Sequence, residues 1–378
     1  MKISVVGAGS AGCLTALQLG FDTNCEVELI YNPDIPAEIV GQGTVLLPPA
    51  LLWEATRFNW YDNPIHATFK TGILYEGWGK VNDKVFHPFP ADKMGMHFCP
   101  WEMQEHVLKS GNFKVTEGDV DPKDVDADYV FDCRGKPDDL SDYYELKNPT
   151  NACILGKPQW DTSQAYWSRH VATPDGWTFI IPAKKDSPSH SGAVGYCYNS
   201  NITKKEVAEY NFLEMFDVEI TKHIEYKNYG AKNPIDGRVI LNGNRLFFLE
   251  PLESSATQAY VEWTGYFIRN VLSGRKTIRH ASWEIRNYIG ELQNFVLWHY
   301  QFGSKYETPF WDYAKTLSFK DADFNIRLKK IRKLDRGDVV PPDYGGEVLP
   351  YSNYAYWDLL SFKVWDDGMT RQSLKEVL

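Results

Sequence analysis

The sequence predicts an α/β fold with a Rossmann-like core at its start, an interleaved β-rich layer and a helical C-terminal part. Apolar runs with strand character at 3–6 and 27–31 flank an apolar helical stretch, which is the order of a β-α-β unit. Residues 150–230 alternate like strands and are rich in Trp, Tyr and Thr. Residues 256–272 and 281–303 have the spacing of helices.

A glycine-rich turn joins the first strand to the first helix. It reads GAGSAG, so Gly7, Gly9 and Gly12 form the pattern G-x-G-x-x-G in its strand-to-helix context. These glycines permit a tight turn, close approach to a pyrophosphate and close helix packing, in that order. The helix end at Ser10 and Ala11 offers free N–H groups to phosphates. The turn predicts a dinucleotide site, and by itself it leaves FAD and NAD(P) equally open.

Three later features concern the same site. An apolar strand at 127–135 is typical of flavoproteins in which it returns to the nucleotide sheet, and this favours FAD over NAD. The second strand ends at Asn32, where an acidic residue often binds the ribose, and the Asn amide can replace it. The loop at 35–44 contains two glycines that suit close approach to a flat ligand, or it is an ordinary surface loop.

Composition and charge exclude several classes of protein. The 378 residues are 43% hydrophobic, which is enough for one large domain or two interleaved ones. The net charge of −10 and the lack of a basic tract argue against nucleic acid or an anionic membrane as partner. We expect no membrane span, no signal peptide and no metal site. The six cysteines are scattered without a C-x-x-C pair, which favours free thiols in a reducing cytoplasm.

One lysine has a simple interpretation from the periodicity of its neighbours. Residues 66–75 alternate like a single strand, and Lys70 lies inside it. On periodicity alone, Lys70 is a solvent-facing strand lysine.

An acidic pair precedes the long helix at 256–272. Ser254 or Ser255 is a natural N-cap, so Glu250 and Glu253 lie at a helix N-terminus. Such a terminus can bind an anion or the pyrimidine edge of a flavin. Alternatively, the acids only stabilise the helix through its dipole.

In chain order, several stretches together resemble the flavin-dependent tryptophan halogenase family, of which this would be a short, divergent member. They are GAGSAG, DIPAEIVGQGT (the family's strap loop), ATFKTGILYEGW (its lysine segment), YVFDCRG (its return strand), GWTFIIP (its W-x-W-x-I-P signature), GAVGYCY, EPLESSA, and VLWHY followed by TPFW. The likeness runs from residue 1 to about 315. It implies the FAD-binding, Rossmann-like fold of the flavoprotein monooxygenase and halogenase type.

The resemblance also implies a mechanism. In this family, reduced FAD and O2 give a flavin hydroperoxide, and a halide (chloride, bromide or iodide) attacks it to form hypohalous acid. This acid passes through a tunnel to a lysine, here Lys70, which passes the halogen to an aromatic carbon. Glu253 would polarise the electrophile or take the ring proton, and Ser254 would assist. The backbone at Ser255 and Ala256 matches the halide site.

Further binding residues follow from the same resemblance. Trp177 matches the first Trp of the signature and Phe179 replaces the second; these rings keep the substrate away from the flavin. His87 and Phe89 match residues that stack on the substrate ring. The expected FAD-binding residues are Gly7, Gly9, Ser10, Ala11, Gly12, Asn32, Val40, Gly41, Gln42, Leu249 and Pro251.

Besides Phe179, the chain departs from the family pattern at three further positions. Gln42 stands where the strap usually has Glu, Arg134 replaces a small residue, and Ala256 replaces Gly at the halide turn. The chain is also shorter than tryptophan-specific members in its substrate-covering and C-terminal regions. We therefore expect a small electron-rich aromatic substrate, such as a phenol or an indole, rather than free tryptophan, and an altered halide preference.

The resemblance implies how the chain is divided and with what it works. We expect an FAD-binding core at 1–48, 105–150 and 235–305, and a substrate-binding and covering region at 49–104, 151–234 and 306–378. No second nucleotide motif is present, so a separate NAD(P)H-dependent flavin reductase would supply FADH2. A homo-oligomer is left open.

Two other functions fit part of the sequence. An FAD-dependent aromatic monooxygenase (a hydroxylase or epoxidase) would not lose all turnover when Lys70 is replaced by Ala. A catalytically inert flavin-binding protein is suggested by the departures from the family pattern.

Overall fold

The structure is a computed structural model and describes residues 1–37, 41–45, 47–61, 63–79, 83–89, 94–184, 192–301 and 303–317. The helices are α1 (Ser10–Asp22), α2 (Leu47–Thr56), α3 (Pro100–Ser110), α4 (Lys205–Met215), α5 (Ser255–Tyr266), α6 (Ile278–Gln301) and α7 (Pro309–Thr316). The strands are β1 (Lys2–Val6), β2 (Glu26–Tyr31), β3 (Gln42–Gly43), β4 (Thr68–Lys70), β5 (Gly72–Glu76), β6 (Lys84–Pro88), β7 (Gly95–Phe98), β8 (Lys114–Glu117), β9 (Tyr129–Asp132), β10 (Tyr143–Glu145), β11 (Ala152–Pro158), β12 (Ser168–Thr173), β13 (Gly176–Ile181), β14 (Ala193–Tyr198), β15 (Val218–Glu225), β16 (Tyr229–Ala231), β17 (Ile235–Asp236), β18 (Val239–Leu241) and β19 (Phe247–Phe248).

The nucleotide sheet has the strand order β17-β18-β9-β1-β2-β8. Strand β1 is parallel to β2 on one side and to β9 on the other, so the predicted return strand lies beside the first strand. Helix α1 follows β1 and is buried along residues 11–20, because the sheet lies on one side and α2, α3 and α5 pack around it. The predicted Rossmann-like core is confirmed.

The β-rich layer is a second sheet with the order β15-β11-β14-β13-β12-β5-β6. Its pairings are antiparallel except that β5 and β12 are parallel. The stretches GWTFIIP and GAVGYCY, which lie in the region predicted to alternate like strands, form β13 and β14. Two smaller sheets, β3-β7-β4 and β10-β16-β19, complete the fold.

The predicted single strand at 66–75 is wrong, because the chain forms two strands in two different sheets. Strand β4 pairs with β7 in a small sheet, whereas β5 pairs with β6 and β12 in the large sheet. Thr71 lies between them, and its N–H donates to the Tyr166 carbonyl at 2.7 Å. The alternation that seemed continuous therefore does not fix the direction of the Lys70 side chain.

The C-terminal helices agree with the sequence except in their details. Helix α5 begins at Ser255 and continues as a π-helix over Phe267–Leu272, which ends at Gly274 with φ +73°. Helix α6 takes in the predicted stretch at 281–303 except for its last residues. The helix predicted at 324–336 and the aromatic patch at 351–357 lie outside the described residues. None of the helices among the described residues is long and apolar enough to cross a membrane.

A cluster of large aromatic side chains joins α7 to the large sheet. Trp78, Trp177 and Trp311 are fully buried there together with Tyr300. Trp311 donates from its indole N–H to the Thr173 carbonyl at 2.8 Å. Helix α7 is therefore held by both apolar burial and one directed hydrogen bond.

Replacing Trp311 by Phe should lower the free energy of unfolding by about 1–3 kcal/mol, because it leaves a small cavity and an unpaired carbonyl. Urea unfolding followed by circular dichroism measures the change. The control is Trp283→Phe, since Trp283 is 51% exposed and should tolerate the change within about 0.5 kcal/mol. Equal effects at the two positions would contradict the anchoring role.

Candidate active site

The Lys70 amine lies in the interior rather than in solvent, so the interpretation from periodicity is wrong. The side chain is 0% exposed, and its Nζ donates to Ser254 Oγ at 2.9 Å. The Phe89 ring lies beneath the amine, with 5.5 Å from Nζ to the ring centroid. Gly43 lies against both groups, because a Cβ there would be 3.3 Å from Lys70 Nζ and 3.0 Å from Ser254 Oγ.

Burial determines the protonation of this amine. Loss of hydration lowers the pKa of Lys70 from 10.5 to about 7, and the nearby charge of Glu253 opposes this shift in part. Near neutral pH, a large fraction of Lys70 is then an uncharged amine with a free lone pair. A neutral amine can act as a nucleophile or as a hydrogen-bond acceptor, whereas an ammonium group can only donate.

The residues that meet Lys70 come from a strained turn before α5. Glu253 and Ser254 both have left-handed backbone conformations, with φ 67° and 54°. Such conformations cost on the order of 1–3 kcal/mol for residues other than Gly, and they persist where surrounding contacts hold them. Here Ser254 is held by Lys70 on β4, and the Glu253 carboxylate is held by side chains from β5 and α6.

The Glu253 carboxylate is buried among polar side chains. Its Oε1 accepts hydrogen bonds from the Tyr75 hydroxyl and from His299 Nε2, the latter at 3.0 Å. His87 Nδ1 lies 4.0 Å from the same oxygen. Burial, aided by the charges of His299 and Lys70, lowers the pKa of His87 to about 3, so this ring is neutral.

The other acid of the pair, Glu250, lies in a different environment. Glu250 is buried and accepts hydrogen bonds from the Thr150 hydroxyl, from Tyr300 at 2.6 Å and from the Trp177 indole at 3.4 Å. Burial raises the pKa of Glu250 despite these donors. Neither Glu250 nor Glu253 lies in the first turn of α5, but Glu253 directly precedes its N-cap, so the alternative in which the acids stabilise the helix through its dipole stays a prediction.

The N-terminus of α5 has no side-chain cap. Ser254 occupies the N-cap position as predicted, but its hydroxyl bonds to Lys70 and caps no backbone N–H. The helix then begins with Ser255 and Ala256, the residues predicted to bind halide. Uncapped N–H groups at the positive end of a helix favour an anion.

Part of the predicted FAD-binding set, residues 7–12 together with Gln42, meets at the glycine turn. Helix α1 also lacks a side-chain cap, and a Cβ on Gly9 would meet no atom within 4 Å, which leaves room for a pyrophosphate. The Ser10 hydroxyl donates to Gln42 Oε1 at 3.3 Å, so the strap contacts the turn. These residues fit a dinucleotide. Strand β3 carries both Gln42 and Gly43. Because Gly43 lies against Lys70, β3 connects the predicted FAD site with the predicted lysine site.

The other expected FAD-binding residues have varied positions. Asn32 lies at the end of β2, where its Oδ1 accepts the Asp34 backbone N–H at 2.9 Å. Gly41 and Leu249 are buried, and Pro251 is exposed just before the strained turn. Val40 lies outside the described residues.

The expected substrate-binding rings divide into two groups. His87 and Phe89 are buried beside Glu253 and Lys70, respectively. Trp177 and Phe179 are packed together, with ring centroids 6.1 Å apart, in the aromatic layer of the large sheet. Trp177 reaches the Glu253 region through the rings of His170 and Tyr75, with successive centroid distances of 4.8 and 5.2 Å.

Sequence reasoning missed three residues of this site. Tyr75 belongs to the lysine segment and His299 to the VLWHY motif, but neither received a role. Gly43 was treated only as part of the strap. The signal that could have identified Tyr75 and His299 is that each places a polar group, a hydroxyl or an imidazole, inside a motif that resembles the family.

Solved structures of other proteins share the fold of this chain. A tryptophan 6-halogenase from Streptomyces toxytricini superposes with a TM-score of 0.71 at 17% identity, covering 95% of this chain and 89% of that one. A flavin-dependent halogenase from Xanthomonas campestris superposes with a TM-score of 0.72 at 14% identity, covering 100% and 95%. The chain thus has the FAD-binding, Rossmann-like fold of flavin-dependent halogenases.

Sequence similarity is more specific. The profile of the tryptophan halogenase family matches residues 2–117 and 121–340, so the chain belongs to this family. The tryptophan 7-halogenase RebH of Lentzea aerocolonigenes is 25% identical over 256 residues, which are 62% of this chain and 46% of RebH. The similarity therefore spans about half the length of that relative.

Replacing Gly9 by Ala should weaken FAD binding about tenfold or more, because the new methyl group would occupy the space next to the expected pyrophosphate. Its backbone, with φ −65° and ψ −178°, suits Ala, so the thermal midpoint of the FAD-free protein should stay unchanged. Fluorescence titration with FAD measures the affinity. The control is Gly290→Ala, which also meets no neighbouring atom but lies on α6. Unchanged FAD affinity in the Gly9 variant would contradict the assignment.

Replacing Lys70 by Met should stabilise the protein, with a pH dependence fixed by the pKa of the amine. The unfolded chain keeps its Lys70 proton up to about pH 10.5, whereas the folded chain loses it near pH 7. Wild-type stability should therefore rise with pH through this window. The advantage of Met should be largest below pH 7, on the order of 4 kcal/mol, and should shrink toward pH 10.5. Urea unfolding at pH 6, 8 and 10 tests this, and a constant advantage would refute it.

Proposed function

We propose that this protein is an FADH2-dependent halogenase that passes the halogen of hypohalous acid through Lys70, with help from Glu253, to a small electron-rich aromatic substrate such as a phenol or an indole. The observation that carries the proposal is that a buried amine and a buried carboxylate meet at one turn, the turn before α5. Lys70 bonds to Ser254, and Glu253 is the residue before it.

The cofactor would be held by the glycine turn, Asn32, the strap and the segment before α5. Bound reduced FAD, with O2 and a halide, supplies hypohalous acid. The uncapped start of α5 at Ser255 and Ala256 would hold the halide through backbone N–H groups. Because β3 contacts both the glycine turn and Lys70, the amine has a fixed position relative to the cofactor site.

The lowered pKa of Lys70 gives the amine its role. An uncharged amine takes the electrophilic halogen from HO–X to give N–X and water, or it orients HO–X by a hydrogen bond. The aromatic ring then takes the halogen, and its own proton passes to the Glu253 carboxylate, which returns a proton to the Lys70 nitrogen as the N–X bond breaks, or to the leaving hydroxide where Lys70 only orients HO–X. The sum is Ar–H + HO–X → Ar–X + H2O. His87 and Phe89 would contact the ring, and Trp177 and Phe179 would close the pocket toward the large sheet.

The remaining parts of the proposal concern organisation. The FAD-binding part would comprise 1–48, 105–150 and 235–305, and the rest of the chain would bind and cover the substrate. Reduced flavin would come from a separate NAD(P)H-dependent reductase.

Wild-type protein supplied with FAD, a flavin reductase, NADH and one halide should halogenate members of a panel of phenols, indoles and tryptophan. The Lys70→Met variant should lose at least about 100-fold of this product, because no amine remains to receive the halogen. Mass spectrometry reads the halogen-specific mass change and compares chloride, bromide and iodide. Since Lys70→Met is expected to be the more stable protein, its inactivity would not reflect misfolding.

Two outcomes would replace the proposal with one of its alternatives. Addition of one oxygen without halogen, independent of Lys70, would identify an aromatic monooxygenase. The absence of any product, with FAD bound, would favour the inert flavin-binding protein.

A further inference from the structure

Among the described residues, every side-chain hydrogen bond of the Glu253 carboxylate is made by one of its two oxygens, Oε1. Oε1 accepts from the Tyr75 hydroxyl and faces His299 Nε2 at 3.0 Å. In the part of the chain that the structure describes, no side chain donates to Oε2. The two side chains come from β5 and α6, which lie far apart in the sequence. The carboxylate is thus fixed with one oxygen occupied and one available.

The contacts of His299 determine where its protons are. His299 Nδ1 lies 2.8 Å from the Phe295 carbonyl, which can only accept, so Nδ1 carries a proton. The contact between Nε2 and Glu253 Oε1 then contains a second proton, shared by an imidazole and a carboxylate. Both ring nitrogens of His299 are therefore engaged, and the ring can hold the Glu253 carboxylate in one orientation.

We infer that Tyr75 and His299 are positioning residues that hold the Glu253 carboxylate in one orientation through Oε1, and that Oε2 is the atom that removes the proton from the halogenated ring. The inference rests on the proposed function, because it specifies how Glu253 performs its step. In that step the cationic ring Ar(H)X⁺ gives its proton to Oε2, and Ar–X and a neutral carboxylic acid result. The pair of electrons of the C–H bond returns to the ring.

Among the described residues, the two other histidines near Glu253 are not positively charged near pH 7. His87 on β6 has a pKa of about 3, and burial holds the pKa of His170 on β12 well below its usual range. Both rings are neutral near pH 7. Lys70 on β4 is the other cation facing this region, and its hydrogen bond goes to Ser254. His299 is the histidine whose ring lies within hydrogen-bond distance of the Glu253 carboxylate.

The contact can be tested without turnover. In protein with oxidised FAD bound and 15N-labelled at its nine histidines, NMR should show one ring with a proton on Nδ1 that is absent from His299→Gln. In Glu253→Gln, the Nε2 signal of this ring should move, because its carboxylate partner is gone, whereas Nδ1 keeps its carbonyl partner. An Nε2 signal of His299 that is the same in Glu253→Gln and in the wild type would overturn the inference.

The catalytic consequence is tested with Tyr75→Phe, His299→Gln and His299→Leu. Tyr75→Phe should lower kcat about tenfold with KM nearly unchanged, because the carboxylate loses one of the two side chains that fix its orientation. His299→Gln keeps a donor but no ionisable proton, so it should lie between wild type and His299→Leu. The yield of halogenated ring per hypohalous acid formed should fall in all three.

A matched control separates this effect from the general loss of a buried hydroxyl. Tyr196→Phe removes a hydroxyl that donates to Asp175 at 2.6 Å, away from Glu253, and should keep the wild-type product yield and pH profile. Wild-type behaviour of Tyr75→Phe and both His299 variants would overturn the inference. If Lys70→Met still halogenates, the proposed function fails instead, and the NMR result alone then decides whether the pair exists.

Discussion

The hydrogen bond between the Lys70 amine and the Ser254 hydroxyl brings together two parts of the chain that lie 184 residues apart. Lys70 ends a strand of a small sheet, and Ser254 precedes the buried helix α5. For the two to meet away from water, the chain before α5 must turn through two left-handed residues. Gly43 leaves room for the contact and Phe89 covers it. The position of every other group in the site follows from this arrangement.

Electrostatics in the site follow from its low polarity. A buried amine and a buried carboxylate stabilise each other, but burial outweighs this attraction for Lys70 and lowers its pKa to about 7. The same burial, together with the positive charges of Lys70 and His299, keeps His87 and His170 neutral. Burial and the neighbouring positive charges therefore both favour the neutral forms of these two histidines. As a result, the site contains fewer charges than titratable groups.

Features with short-range causes were predictable from sequence. The glycine turn between the first strand and the first helix depends on neighbouring residues and was confirmed. The direction of Lys70 was not predictable from periodicity, because β4 has three residues and is separated from β5 by a contact with Tyr166. The contacts of Glu253 come from residues 178 and 46 positions away. Only the family resemblance, which carries tertiary information, joined Lys70 to Glu253, and the roles of both remain predictions.

The left-handed turn has an evolutionary consequence. A glycine at the position of Glu253 or Ser254 would adopt the observed backbone without the steric cost of a Cβ atom. Mutation to glycine thus offers a simple path to a less strained turn that lacks the carboxylate or the hydroxyl. A lineage released from selection on this site would be expected to drift along that path. The presence of two side chains where the backbone favours none is evidence that selection has acted on the chemistry of the turn rather than on the fold alone.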